Sequence, residues 1–136
     1  MAKIKTKPII YKPNLIRLLS SFSPKEIIEF DKFIRSPFFN NQSTLIRLFA
    51  ELKKYYPAFE HSDFTKEKIF SKLFQKKSYN DTVFRNLNSI LLSHAESFLS
   101  LKNYLKDPVL KNIHLLSELN SKNIFSLFDK NFRDRK

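Results

Sequence analysis

Between Asn80 and Lys106 the apolar and half-apolar positions recur at steps of three and four: Phe84, Leu87, Leu91, His94, Phe98, Leu101 and Leu105. Val83 and Ile90 widen this stripe, and the stretch holds neither Pro nor Gly. That period predicts an α-helix with one buried face. At 1.5 Å per residue it would run roughly 38 Å, long enough to receive every other helix of the chain. The shorter segments carry the same signature with clear start and stop signals. Ser23-Pro24-Lys25-Glu26 reads as a capping box with Pro at the first helical position. The helix it opens presents Ile27, Phe30, Phe33 and Ile34, and ends at Ser36-Pro37, since a residue before Pro avoids the helical region.

The rest of the chain follows suit. Asn14 to Phe22 forms a short apolar turn or helix. Ser43 to Tyr56 spaces Leu45, Leu48, Phe49, Leu52 and Tyr56 helically, and Pro57 ends it. Thr65 caps a short helix to Phe74 with Ile69, Phe70, Leu73 and Phe74 inward, and Asn80 caps the long helix. Asp107-Pro108 starts a further helix whose stripe is Val109, Ile113, Leu116 and Leu119, broken at Asn120 to Asn123. Ile124, Phe125, Leu127, Phe128 and Phe132 mark a last amphipathic helix over 123–135. In the link Phe38-Phe39, one ring is expected to plug the core. The expectation is an all-α fold, a compact bundle of about six to seven helices around one long central helix, residues 80–106. A basic flexible arm (1–13) precedes a single helical domain (14–136), whose last helix has the character of the start of a longer helical array.

Composition narrows the chemistry. The chain of 136 residues suits one domain, and 42% hydrophobic residues with 15 Phe argue against disorder. There is no Cys, which removes disulfides, thiol chemistry and Cys-based zinc sites. There is no Gly, where average usage would give about nine or ten. Gly-rich phosphate loops and nucleophile elbows are therefore excluded. The arm's apolar run is interrupted by Pro8, Lys12 and Pro13, unlike a signal peptide, and no run reaches a membrane span, so a cytoplasmic protein without a membrane partner is expected.

The net charge of +12, from 25 basic and 13 acidic residues, points to a polyanion partner. Against this, the excess is Lys (19) rather than Arg (6), the better reader of phosphates and bases. A helix-turn-helix reading takes Thr65 to Phe74 as first helix and Asp81 onward as recognition helix, exposing Thr82, Arg85, Asn86, Asn88 and Ser89. Lys76 and Lys77 would hold the DNA backbone, with Lys3, Lys5 and Lys7 in the arm. The six-residue connection is long for that motif, and Asp81 at its tip would repel phosphate. Lys53, Lys54, Tyr55 and Tyr56 mix charge and aromatic rings, which suits a solvated last turn more than a strand-binding groove.

No residue pattern reads as catalytic. His61, His94 and His114 lack the spaced carboxylates of a metal site, and Glu26 and Glu29 lack a general-base partner. No cofactor or metal is expected. The leading expectation is a non-enzymatic interaction or scaffolding module, whose partner or second copy meets Ile124, Phe125, Leu127, Phe128 and Phe132 on the last helix. The alternative is a nucleic-acid- or ribosome-associated protein using Lys3, Lys5, Lys7, Lys76, Lys77 and Arg85.

Three stretches, LSSFSPKEIIEFDKFIRSPFFNNQ, FTKEKIFSKLF and YNDTVFRNLNSILLSHAESFL, resemble the N-terminal helical region of uncharacterised Bacteroidota proteins. There a Phe-x-x-Phe-hydrophobic-x-Ser-Pro-aromatic-Phe-Asn pattern opens the domain, met here by Phe30, Phe33, Ile34, Ser36, Pro37, Phe38, Phe39 and Asn40. The likeness covers roughly Leu18 to Leu105. HLLSELNSKNIFSLFDKNF resembles the start of the helical array in longer members. The resemblance implies an all-helical fold and brings no established activity.

Overall fold

A computed structural model describes residue 11 and residues 13–133. Among these the chain forms seven α-helices, one 3₁₀ turn and no strand: α1 (Asn14–Ser20), α2 (Pro24–Arg35), α3 (Ser43–Leu52), the 3₁₀ turn (Lys53–Tyr55), α4 (Lys66–Leu73), α5 (Asp81–Leu105), α6 (Pro108–Ser121) and α7 (Phe125–Arg133). The all-helical class and the long central helix are as expected. Its contacts group into two compact units, one up to Glu96 and one from Ser97 onward, with the division inside α5.

The helix starts follow local chemistry. The Ser23 hydroxyl accepts from the Glu26 N–H at 3.1 Å, and the Glu26 carboxylate accepts from the Ser23 N–H at 2.9 Å. These two bonds satisfy backbone donors that a helix leaves unpaired. Thr65 caps α4 through the Lys68 N–H, Asn80 caps α5 through the Val83 N–H, and Asp107 caps α6 through the Leu110 N–H. In a chain without Gly, Asn123 takes the left-handed position after α6, with φ 59°. The Ile124 N–H then reaches back to the Leu119 carbonyl and the Asn123 N–H to that of Asn120. This Schellman arrangement stops α6 and turns the chain back along it as α7. Among the described residues Phe59 is the other with positive φ, at 52°. Its backbone cost, of order 1–3 kcal/mol, is offset by full burial of the ring.

In the first unit, α2 packs on α3 and α3 on α4. Leu15, Ile16, Leu19, Phe30, Ile34, Leu45, Leu48, Phe49 and Leu52 are fully enclosed. Phe30 meets Phe49 edge-on at 4.9 Å and Phe22 edge-on at 5.9 Å. The Tyr56 hydroxyl donates to the Phe22 carbonyl, and Lys53 reaches Asp31 at 3.4 Å, tying the 3₁₀ turn to what precedes it. Tyr11, which the sequence assigns to the arm, sets its ring 5.3 Å from Phe64 and 5.6 Å from Phe84.

Three packing expectations are corrected. Neither ring of Phe38-Phe39 plugs the core. Phe38 is 89% exposed, and Phe39 lies outside, stacked on Phe33 at 4.4 Å. The buried residue of this corner is Asn40, whose amide donates to the carbonyls of Ile34 at 2.8 Å and Gln42 at 3.1 Å. Its side-chain oxygen accepts the Gln42 N–H at 3.0 Å. Where the chain leaves a helix, backbone groups need partners, and a carboxamide supplies them while a phenyl ring does not.

Second, the buried line of α5 is Phe84, Asn88, Leu91, Ala95 and Phe98. Leu87, His94 and Leu101 sit at its edge, while Val83 and Leu105 are exposed. Phe84, Leu91 and Phe98 are buried as expected, and the wide apolar sector let the centre of the face shift by roughly 50° toward Asn88 and Ala95. Third, Leu119 of α6 is buried as expected, but Val109 and Ile113 face outward and Asn112 is buried instead. The Asn112 amide donates to the Asn131 carbonyl at 3.3 Å, so α6 turns that side toward α7.

Candidate functional site

The expected contact residues lie where α7 begins and along its length. Phe125 is 57% exposed and Phe132 61%; Ile124 and Leu127 are exposed as well, and Phe128 is half-buried. No residue of α7 is buried. Phe128 and Phe132, four apart on one face, stack with their planes 9° from parallel. The helix is held to α6 by its polar Asn131 and by the Schellman turn, which leaves its aromatic stripe uncovered. Sequence reasoning found this stripe because five large apolar residues fall within nine positions.

It missed the neighbouring part of the surface. Val109 (64% exposed) and Ile113 (54%) were expected inside. The signal against that reading is the spread of apolar residues on α6. Val109, Leu110, Ile113, Leu115, Leu116 and Leu119 occupy more than one face, so not all can be covered by one neighbour. A surface of this kind has no reactive group. Covering it would remove apolar area from water.

The residues of the nucleic-acid reading are placed differently. Lys3, Lys5 and Lys7 lie outside the described residues. Lys76 and Lys77 are exposed in the link between α4 and α5, and the Lys77 ammonium sits 5.5 Å from the centre of the Phe74 ring. They border an open hollow of about 480 Å³ with Phe70, Ser78 and Val83. Arg85 bonds back to Asp81 at 2.8 Å, and Lys66 reaches the same carboxylate at 3.3 Å. The Tyr79 hydroxyl donates to Asp81 at 2.6 Å. That bond and Lys66 hold the Asp81 carboxyl below its usual range. Of the five polar residues expected on the recognition helix, Thr82, Arg85, Asn86 and Ser89 are exposed. Asn88 is a correction: it is buried, and its amide donates to the Phe84 carbonyl at 2.9 Å.

Each histidine has a neighbour of its own. His61 Nδ1 accepts the Asp63 N–H at 3.0 Å, His94 lies 6.5 Å from Phe33, and His114 meets Tyr104 at 5.6 Å. Among the described residues no group of three His, Asp or Glu side chains is placed to hold a metal ion. No helix there is long and apolar enough to cross a membrane. Lys54 pairs with Glu51 at 3.0 Å and stays exposed, while the Tyr55 ring packs on Phe64 at 5.0 Å.

No protein-family model, curated relative or solved structure matches this chain. The functional reading rests on its own surface.

Proposed function

We propose that this chain is a non-enzymatic helical module that binds another protein through the apolar stripe of α7. One observation carries the reading: a short helix keeps Phe125, Leu127 and Phe132 exposed, with no residue buried. Exposed aromatic side chains concentrated on one helix are the usual anchors of helix-mediated recognition. The Asp81 carboxylate, held at the start of α5 by Arg85, Lys66 and Tyr79, favours this reading over nucleic-acid binding, because it sets a negative charge where phosphate would dock.

The test replaces Phe125 and Phe132 together by Ser and compares proteins retained from the host lysate with those on the wild-type chain. Loss of specific partners from the variant, with unchanged circular dichroism, supports the reading. An identical set of retained proteins removes it, and retention that vanishes on nuclease treatment transfers the function to the nucleic-acid alternative.

A further inference from the structure

We propose that the apolar face of the α6–α7 hairpin pairs with the same face of a second copy of this chain, forming a four-helix bundle. The inference rests on the interaction reading above and names the partner.

The hairpin fixes the register. Leu119 meets Ile124 at the turn and Asn112 meets Asn131 further along, so the two helices run antiparallel. Both contacts give the same alignment, which sets Phe132 level with Lys111 and Phe128 level with Leu115. Each residue turns a helix by about 100°. Measured from the edges that meet, Val109, Ile113 and Leu116 come to one side of α6. Phe125, Phe128 and Phe132 come to the same side of α7. Four of these six side chains are more than half exposed, and Leu116 and Phe128 are partly covered.

A twofold axis along the hairpin makes this face complementary to itself. It lays α7 of each copy over α6 of the other and leaves heights along the helices unchanged. Phe132 of one copy then enters between Val109 and Ile113 of the second copy, and Phe128 enters between Ile113 and Leu116. Rings fall into gaps between aliphatic side chains one turn apart, as helix ridges fill grooves. Neighbouring helices of the bundle are all antiparallel. The six side chains present on the order of 500 Å² of apolar area. Two such faces remove about 1,000 Å² from water, the lower bound of a specific interface, before any polar rim is added. The dimer is therefore weak, with a dissociation constant on the order of 10–100 μM.

Charge permits this occupant. By the same rotation Lys111, Lys122 and Lys130 lie on the far side of the hairpin, so no lysine of the hairpin enters the face. In the bundle the two far sides stand about 20 Å apart, beyond the roughly 8 Å over which exposed charges act at physiological salt. Asp129 borders the face at the outer edge of α7, one turn before Arg133. The twofold sets the two Asp129 carboxylates at opposite edges of the bundle. A face without a pattern of charges selects no charged partner. It matches an apolar stripe of the same spacing, and its own copy supplies one.

Sedimentation velocity of the full chain from about 5 to about 500 μM tests this. The expected result is a monomer–dimer equilibrium that tightens about threefold as salt rises from about 50 to about 500 mM, because salt screens the repulsion between two chains of +12. Val109→Ser and Phe132→Ser should each weaken it about tenfold with unchanged circular dichroism. Ile28→Ser, at an exposed apolar residue of α2, should leave it unchanged. A dimer that the first two substitutions leave intact uses another face and overturns the proposal. So does a dimer that loosens as salt rises, since charge then holds it. A chain that stays monomeric throughout overturns it as well. In that case the interaction reading stands if the Phe125 and Phe132 double variant loses partners from lysate, and falls if it does not.

Discussion

The guanidinium of Arg47, on α3, donates to the carbonyl of Leu73, the last residue of α4, at 2.9 Å. A helix ends with carbonyls that have no partner within it, and a cation placed there also meets the negative end of its dipole. The two residues are 26 apart in sequence. The bond supplements the tight turn at Phe74, whose own N–H returns to Phe70. Arg47→Ala is therefore expected to destabilise the first unit by about 1 kcal/mol in urea unfolding. Amide exchange should quicken most at the end of α4. An unchanged midpoint would show that water replaces the guanidinium at no cost.

The corner after α2 inverts the expected roles of ring and amide. Phe38→Ala should change stability by less than about 0.5 kcal/mol, because its ring is already in water. Asn40→Ala should cost about 1–3 kcal/mol, since it strips buried carbonyls of their donor. Thermal melts of the two variants check this. A Phe38 variant less stable than the Asn40 variant would contradict the placement.

Adjacent positions of α5 give a sharp comparison. Ala95 is fully buried and His94 lies at the edge beside Phe33. Enlarging Ala95 to Leu should cost about 1–3 kcal/mol through overpacking. His94→Leu should stay within about 1 kcal/mol. Equal costs, measured by denaturant unfolding, would mean that the helix is rotated from the face described.

Tyrosine ionisation should report the interior. Burial pushes the Tyr11 phenol well above the usual value of 10.0, with the neighbouring Asn88 side chain opposing it. Neither the Tyr11 hydroxyl nor Asn88 Oδ1 makes a hydrogen bond of ordinary geometry. Burial, and then the bond to the Asp81 carboxylate, raise Tyr79 as well. In both cases the folded state holds the proton more tightly than the unfolded chain. Their contribution is therefore fully present below about pH 10 and is lost as pH rises past it. Absorbance at alkaline pH should show two of the five tyrosines titrating late and together with unfolding. Tyr11→Phe should remove one of them. Five phenols titrating together near pH 10 would refute the assignment.

The sequence by itself determined where helices begin and end and that the fold is all-helical. The Ser23 box, the caps at Thr65, Asn80 and Asp107 and the stop at Pro37 are interactions spanning three or four residues, and their partners are adjacent in the chain. The crowding of apolar residues on α7 was legible for the same reason. Only the tertiary structure decided which side of each helix is covered: Asn88 and Ala95 on α5, Asn112 on α6, Asn40 rather than Phe38 at the corner. Those choices depend on neighbours far along the chain, such as Arg47 beneath Leu73. A broad apolar sector tolerates a rotation of roughly 50° until such neighbours arrive, and on α6 that is enough to leave Val109 and Ile113 exposed.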